Sequence, residues 1–357
     1  MKRRLLALTI ALVAAALFLE IGLRVLLFGG VGPGWALRRP SRFADYQSDE
    51  DYYKLARLWR QGAGRERPQR YHPSLGWVSN AIDPVTLTHS SDGQREGRQL
   101  VLLYGDSYSH CVTPVGTRFE DLIHRSDPPN PLHLLNFGVS GYGLDQTTML
   151  FEATIDSHAH AAPVVLIGVF VDDDLDRCVL EMRGFPKPVF QLDDEGLRPS
   201  GIPAPTLAEY LEQHPLGIRS YLARFLTHGP LRHTGLGPSS HEDEKSALAV
   251  ALTHRLIDGL EERSLRAGFV LFEGEARTAT SAPVNDWRMT TLVQTLRQRD
   301  VPFIRPSEAL RAKGAAEERD VRGFFGQGGE LSDHYTPEAN AVVAAVLEEF
   351  VLQLEAR

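Results

Sequence analysis

The sequence predicts an α/β fold with a parallel sheet covered by helices on both faces, and three observations lead there. Short aliphatic runs recur from residue 99 onward, at 99–104 (QLVLLY), 132–135, 164–171, 269–272 and 301–304. Stretches of helical period lie between them, as at 147–155 and 248–265. Strands that alternate with helices pair in parallel, because each crossover lays a helix back across the sheet. The chain ends in an amphipathic helix opening at Thr336-Pro337-Glu338, with proline in the first turn where its missing N–H costs nothing.

The 357 residues, 43% hydrophobic and 24% charged, suffice for one large α/β domain with additions. A net charge of −8, with no basic face beyond the extreme N-terminus, argues against nucleic acid as a partner. Cys111 and Cys178 are too few for a disulfide scaffold and fit no zinc motif. They read as two separate, partly buried thiols; pairing of two loops in an oxidising compartment is the alternative.

At the N-terminus, Lys2, Arg3 and Arg4 precede an uncharged run over 5–19, and Glu20 and Arg24 interrupt a further apolar stretch to Phe28. As a helix, 5–28 is about 36 Å long at ~1.5 Å per residue, enough to span a bilayer with some tilt. The flanking basic residues hold the N-terminus in the cytoplasm and send the rest outside. No small-x-small site follows the apolar core, so an uncleaved anchor is expected, with a cleaved signal peptide as the alternative.

The chain divides into three parts. Residues 1–29 form the basic tip and transmembrane anchor. Residues 30–97 form a juxtamembrane linker (Gly32-Pro33-Gly34-Trp35) and extension, with a short helix over 51–61. Residues 98–357 form the α/β domain, which carries the motifs described below. A proline-rich insertion at about 184–245, with helices at 207–213 and 218–227, is expected to wall or cover the site.

In an open parallel sheet, reactive groups collect at the carboxyl ends of the strands. Three strand ends carry unusual polar sequences: Gly105-Asp106-Ser107-Tyr108-Ser109, Asn136-Phe137-Gly138-Val139-Ser140-Gly141-Tyr142-Gly143, and Val171-Asp172-Asp173-Asp174-Leu175-Asp176-Arg177. Ser332-Asp333-His334-Tyr335 stands before the last helix. A serine at a strand-to-helix turn exposes its hydroxyl beside free N–H groups suited to an anion. The same serine could merely cap a helix, His334 could be one surface histidine of thirteen, and the aspartate run could be a solvated loop or weak cation site.

In this order, the four segments resemble the SGNH/GDSL hydrolases over about residues 98–348, with a gap at the insertion. The resemblance implies a flavodoxin-like three-layer αβα sandwich of about five strands. It makes Ser107 the nucleophile and His334 the base, with Gly141 and Ser107 giving N–H groups to the oxyanion hole. Asp173 stands where the family places an asparagine donor, and would donate only if protonated. The family's orienting aspartate, three residues before the histidine, is here Leu331. Glu330 or Asp333 is then the orienting acid, or His334 leans on a backbone carbonyl. No cofactor or metal is implied. The activity implied is an esterase or O-acyltransferase working through an acyl-serine. An exported, tethered address suits acylated polysaccharide, peptidoglycan or a small ester as substrate. The rivals are an inactive glycan-binding or assembly subunit, and a membrane-proximal lipid esterase.

Overall fold

The computed structural model describes residues 2–29, 34, 36–59, 68–93, 97–125, 131–201, 206–231, 241–280 and 286–357. Two compact units emerge: Met1–Arg67 with Leu180–Pro186 and Ala204–His241, and Pro68–Val179 with Lys187–Pro203 and Glu242–Arg357. Residues 68–97 belong to the α/β unit, and the stretch expected as one insertion is divided between the units.

The smaller unit begins with α1 (Lys2–Phe28), a single helix long and apolar enough to cross a membrane or to serve as a signal sequence. Its end joins a small core in which Leu27 and Leu23 meet Phe43, Leu55, Ile218 and Tyr221. The expected 51–61 helix is described as α2 (Asp51–Trp59); Gln61 lies outside the described residues, as do Gly32, Pro33 and Trp35. In α6 (Leu207–Gln213), Thr206 caps the first turn by accepting from the Glu209 N–H at 3.2 Å. In α7 (Tyr221–His228), Ser220 accepts from the Ala223 N–H at 3.1 Å.

The larger unit holds five parallel strands: β1 (Gln99–Gly105), β2 (Leu132–Gly138), β3 (Val164–Phe170), β4 (Arg266–Phe272) and β5 (Phe303–Ile304). Their order across the sheet is β2-β1-β3-β4-β5. The chain reverses direction of travel between β1 and β3, and the crevice at such a switch point is where open α/β sheets bind ligands.

Because side chains alternate across a strand, each strand feeds two cores. Leu100, Leu102 and Tyr104 of β1 pack with Val165 and Ile167 beneath α5 (Leu144–His158), α8 (Glu242–Glu262) and α10 (Trp287–Gln298). Val101 and Leu103 face the other way with Leu134, Leu166 and Phe272. There they meet α4 (Phe119–His124), α11 (Pro306–Ala316) and α12 (Pro337–Glu355). The result is a three-layer αβα sandwich. Two short helices, α3 (Ser107–His110) and α9 (Glu275–Thr278), follow β1 and β4 directly.

Residues 189–200 form an antiparallel hairpin. Phe190 is buried in the core that includes Leu252 and Leu256 of α8, and the Arg255 guanidinium lies over its ring at 5.0 Å. That burial explains why the hairpin goes with the sheet rather than with 204–241. Cys111 and Cys178 are separate free thiols, both fully buried.

Candidate active site

The first strand ends in a turn that only glycine can make. Gly105 has φ +152°, and a Cβ there would fall 2.2 Å from Ser109 Oγ and 2.7 Å from the Gly168 carbonyl oxygen. The tight turn delivers Asp106 as N-cap of α3, its Oδ1 accepting from the Tyr108 N–H at 2.8 Å. Ser107 is thereby the first residue of α3. Its N–H has no hydrogen-bond partner among the described residues.

His334 arrives from the opposite end of the unit. Its Nε2 lies 2.9 Å from Ser107 Oγ, across 227 positions of sequence. The imidazole Nδ1 lies 2.9 Å from the Ser332 carbonyl oxygen. With Nδ1 protonated toward that carbonyl, Nε2 is free to accept the serine proton. Asp333 adopts the left-handed conformation (φ +64°), which an aspartate tolerates. Its carboxylate reaches Ser332 Oγ at 3.4 Å, while its carbonyl accepts the Tyr108 hydroxyl at 2.5 Å. Of the acids the sequence offered, Asp333 is thus turned toward Ser332; the side chain of Glu330 lies outside the described residues.

Tyr108 fixes the histidine loop to α3. Its ring stacks on Phe170 at 4.3 Å and lies 5.2 Å from the His334 ring, and its hydroxyl holds the loop's backbone. Burial pushes its phenol well above the usual range, so it serves there as a donor.

The glycine turn after β2 is held from three sides. Asn136 is buried and satisfied: its amide donates to the Ser109 carbonyl (2.8 Å) and to Glu120 (2.9 Å), and its Oδ1 accepts the Gly138 N–H (2.9 Å). Gly141 has φ +87°, and a Cβ there would touch the Trp77 ring at 3.5 Å. The Trp77 indole donates to the Ser140 carbonyl at 3.0 Å, and the Tyr142 hydroxyl donates back to the Trp77 carbonyl. The Gly141 N–H, like that of Ser107, has no partner among the described residues.

Beneath the site sits Arg177, 4% exposed. Its Nη1 donates to Asp174 (2.7 Å), Asp106 (3.2 Å) and the Tyr142 carbonyl (2.5 Å), while Nε and Nη2 both reach Asp173 Oδ2 (3.0 and 2.7 Å). Burial works against its charge, yet the three carboxylates hold it well above the ordinary arginine range. Asp174 is pushed well above its own, first by burial and then by Asp106. Asp173, expected as a donor to the oxyanion, therefore has Oδ2 committed to Arg177. Asp172 instead binds Arg277 (2.6 Å) and the Gly274 N–H (2.7 Å). The aspartate run is thus divided between two arginines. No group of three or more metal-ligating side chains occurs among the described residues.

The Ser107 hydroxyl has one proton and two neighbouring acceptors, since Asp106 Oδ2 lies 3.1 Å away. By drawing on that oxygen, Arg177 weakens it as a competitor of His334. Arg177, Tyr108 and Trp77 escaped the sequence reading as site residues. An arginine three and four residues after paired aspartates was the one legible signal, since that spacing puts them on one helical face.

The fold is a flanked parallel sheet with its Gly-Asp-Ser turn at the end of the first strand, the three-layer arrangement that the resemblance implied. No family model matches the chain, and no curated protein matches it. Among solved structures, it is similar to an acetyl xylan esterase, AlAXEase, at 12% identity and TM-score 0.39, covering 71% of this chain and 99% of that one. It is also similar to the psychrotrophic esterase EstA from Pseudoalteromonas sp. (10% identity, TM-score 0.39, covering 72% and 100%). A third is Axe2, an acetylxylan esterase from Geobacillus stearothermophilus (13% identity, TM-score 0.34, covering 71% and 93%). At these scores the likenesses decide nothing about chemistry, which rests on the site itself.

Proposed function

We propose that this chain is a serine-dependent carboxylic ester hydrolase or O-acyltransferase of the cell envelope, anchored by α1 with the α/β unit exported. The observation that carries the reading is the 2.9 Å contact between Ser107 Oγ and His334 Nε2, made at the switch point of the sheet.

His334 removes the Ser107 proton as Oγ attacks the ester carbonyl. The oxyanion is met by the N–H groups of Ser107 and Gly141. On collapse, the carbon–oxygen bond to the leaving alcohol breaks and His334 returns the proton to it, leaving acyl-Ser107. Water, or the hydroxyl of a second glycan, then attacks this ester. His334 takes the incoming proton and passes it to Oγ, so the enzyme is regenerated. The Ser332 carbonyl orients the imidazole in place of an acid, which makes the pair a dyad.

Acylated glycan is the substrate class favoured by the anchored address. The test is release of acetate from acetylated xylan and from O-acetylated peptidoglycan fragments, with and without an unacetylated acceptor oligosaccharide. Free acetate in both cases indicates a hydrolase, and acetate appearing on the acceptor a transferase. Glycan binding without acyl release would instead favour an inactive binding subunit.

A further inference from the structure

We infer that α7 is a membrane-surface helix, stapled to the anchor through Glu20 and seated among the phospholipid headgroups. This rests on the reading of α1 as a membrane anchor, and on no assumption about catalysis.

The uncharged run over 5–19 is 15 residues long. As a helix that is ~22 Å, while a bilayer hydrocarbon core is ~30 Å thick and needs about 20 residues. If the core begins at Leu5, it reaches to about Arg24, so Glu20 lies near the far boundary. A carboxylate at that depth is costly unless its oxygens are satisfied. Here they are, and by the smaller unit itself. Glu20 accepts from Ser220 Oγ (2.9 Å), the Tyr221 N–H (3.1 Å) and the Leu222 N–H (2.9 Å), and pairs with Arg24 (2.6 Å). Arg24 in turn donates to the Arg219 carbonyl at 2.8 Å and lies 5.1 Å over the Tyr221 ring. The first turn of α7 therefore takes its depth from residues 20–24 of the anchor.

The rest of α7 suits that depth. Tyr221 turns inward onto Phe28 (5.3 Å) and Phe43 (5.6 Å), while Ala223 and Leu226 face outward and exposed. Among the described residues, Leu226 is one of the few large apolar side chains exposed in this unit beyond α1. Arg219 stands two residues before α7 and Arg39 just before the 40–42 turn that packs on it; both are exposed, and neither has an acidic partner among the described residues. An outward leucine on a helix preceded by an exposed arginine matches a lipid surface, which takes apolar groups below its phosphates and cations beside them.

The test uses the full chain in vesicles of phosphatidylcholine with phosphatidylglycerol. Single cysteines carrying bimane are placed at Leu226, at Leu12 in the anchor and at Val115, which is 76% exposed. Cys111 and Cys178 are buried and escape labelling in the folded protein. Quenching is read with headgroup-level and mid-chain nitroxide lipids and with aqueous iodide. The expected result is strong mid-chain quenching at Leu12, headgroup-level quenching at Leu226 and iodide quenching at Val115. Glu20→Ala should cut the nitroxide quenching at Leu226 at least two-fold and raise its iodide quenching. Iodide-only quenching at Leu226, with Leu12 still buried in lipid, would overturn the inference. So would unchanged quenching in Glu20→Ala. Loss of lipid quenching at Leu12 would instead remove the anchor reading beneath it.

Discussion

Arg177→Met is the substitution that probes the site most deeply. The guanidinium is the common counter-ion of three side chains that are nearly all out of water: Asp106 at 0%, Asp174 at 1% and Asp173 at 10% exposure. It also supplies the donor to the Tyr142 carbonyl beside Gly141. Methionine fills similar space but leaves these carboxylates facing one another. Breaking a buried ion pair by deleting one partner costs roughly 3–5 kcal/mol. The expected loss in urea denaturation is therefore about 4 kcal/mol. Arg177→Lys should lose less, since it keeps the charge but cannot span the acids. Asp174→Asn on the Arg177→Met background should recover part of the loss by removing one carboxylate. In turnover, freeing Asp106 Oδ2 to take the serine proton forfeits an interaction with a charged group worth about 1.5–3 kcal/mol, or roughly 10–100-fold in kcat/KM. Wild-type stability in Arg177→Met, within about 0.5 kcal/mol, would refute the reasoning.

Other consequences are open to the same kind of measurement. Asp333→Asn should keep kcat/KM within about ten-fold of wild type, because the Ser332 carbonyl holds Nδ1; loss of a true orienting acid costs about 10⁴-fold. Gly168→Ala should abolish soluble expression, since its Cβ would fall 2.1 Å from Ser109 Oγ and 2.8 Å from the Phe272 ring. His89 and His124 are both held down at about 4 by burial, and His124 Nε2 accepts the Leu134 N–H at 3.1 Å, which requires the neutral ring. A depressed histidine stabilises the fold above its unfolded value near 6.5, and that contribution drains away as pH falls toward 4. The drop in denaturation midpoint between pH 7 and pH 4.5 should accordingly shrink in His124→Gln, and an unchanged drop would exclude this group as a cause.

The sheet was legible because each strand lies in or overlaps an apolar run, and near-continuous apolar character is what burial on both faces demands. Ends were less so: 301–304 gives only Phe303–Ile304 in the sheet, and the 147–155 period extends to Leu144–His158. Local pattern says little about where a hydrophobic run stops pairing. Ser107 and His334 were legible as motif residues, each at a strand or helix junction. What holds them was not. The carbonyl of Ser332 carries no side-chain signature, and Trp77 reaches Gly141 only through a tertiary contact. Arg177 has its Asp173 and Asp174 partners within four positions, but Asp106 is 71 residues away. The split of 184–245 between units likewise depends on which surface each segment buries, and runs of proline do not encode that.

The most direct test of the central claim is covalent labelling of the nucleophile. The α/β unit in the full chain should react with a fluorophosphonate probe, and the adduct should map to the peptide containing Ser107. Labelling should vanish in Ser107→Ala and fall by at least 10²-fold in rate in His334→Ala, with p-nitrophenyl acetate turnover falling alongside. No adduct on Ser107 in a folded protein, or equal labelling with and without His334, would contradict the account.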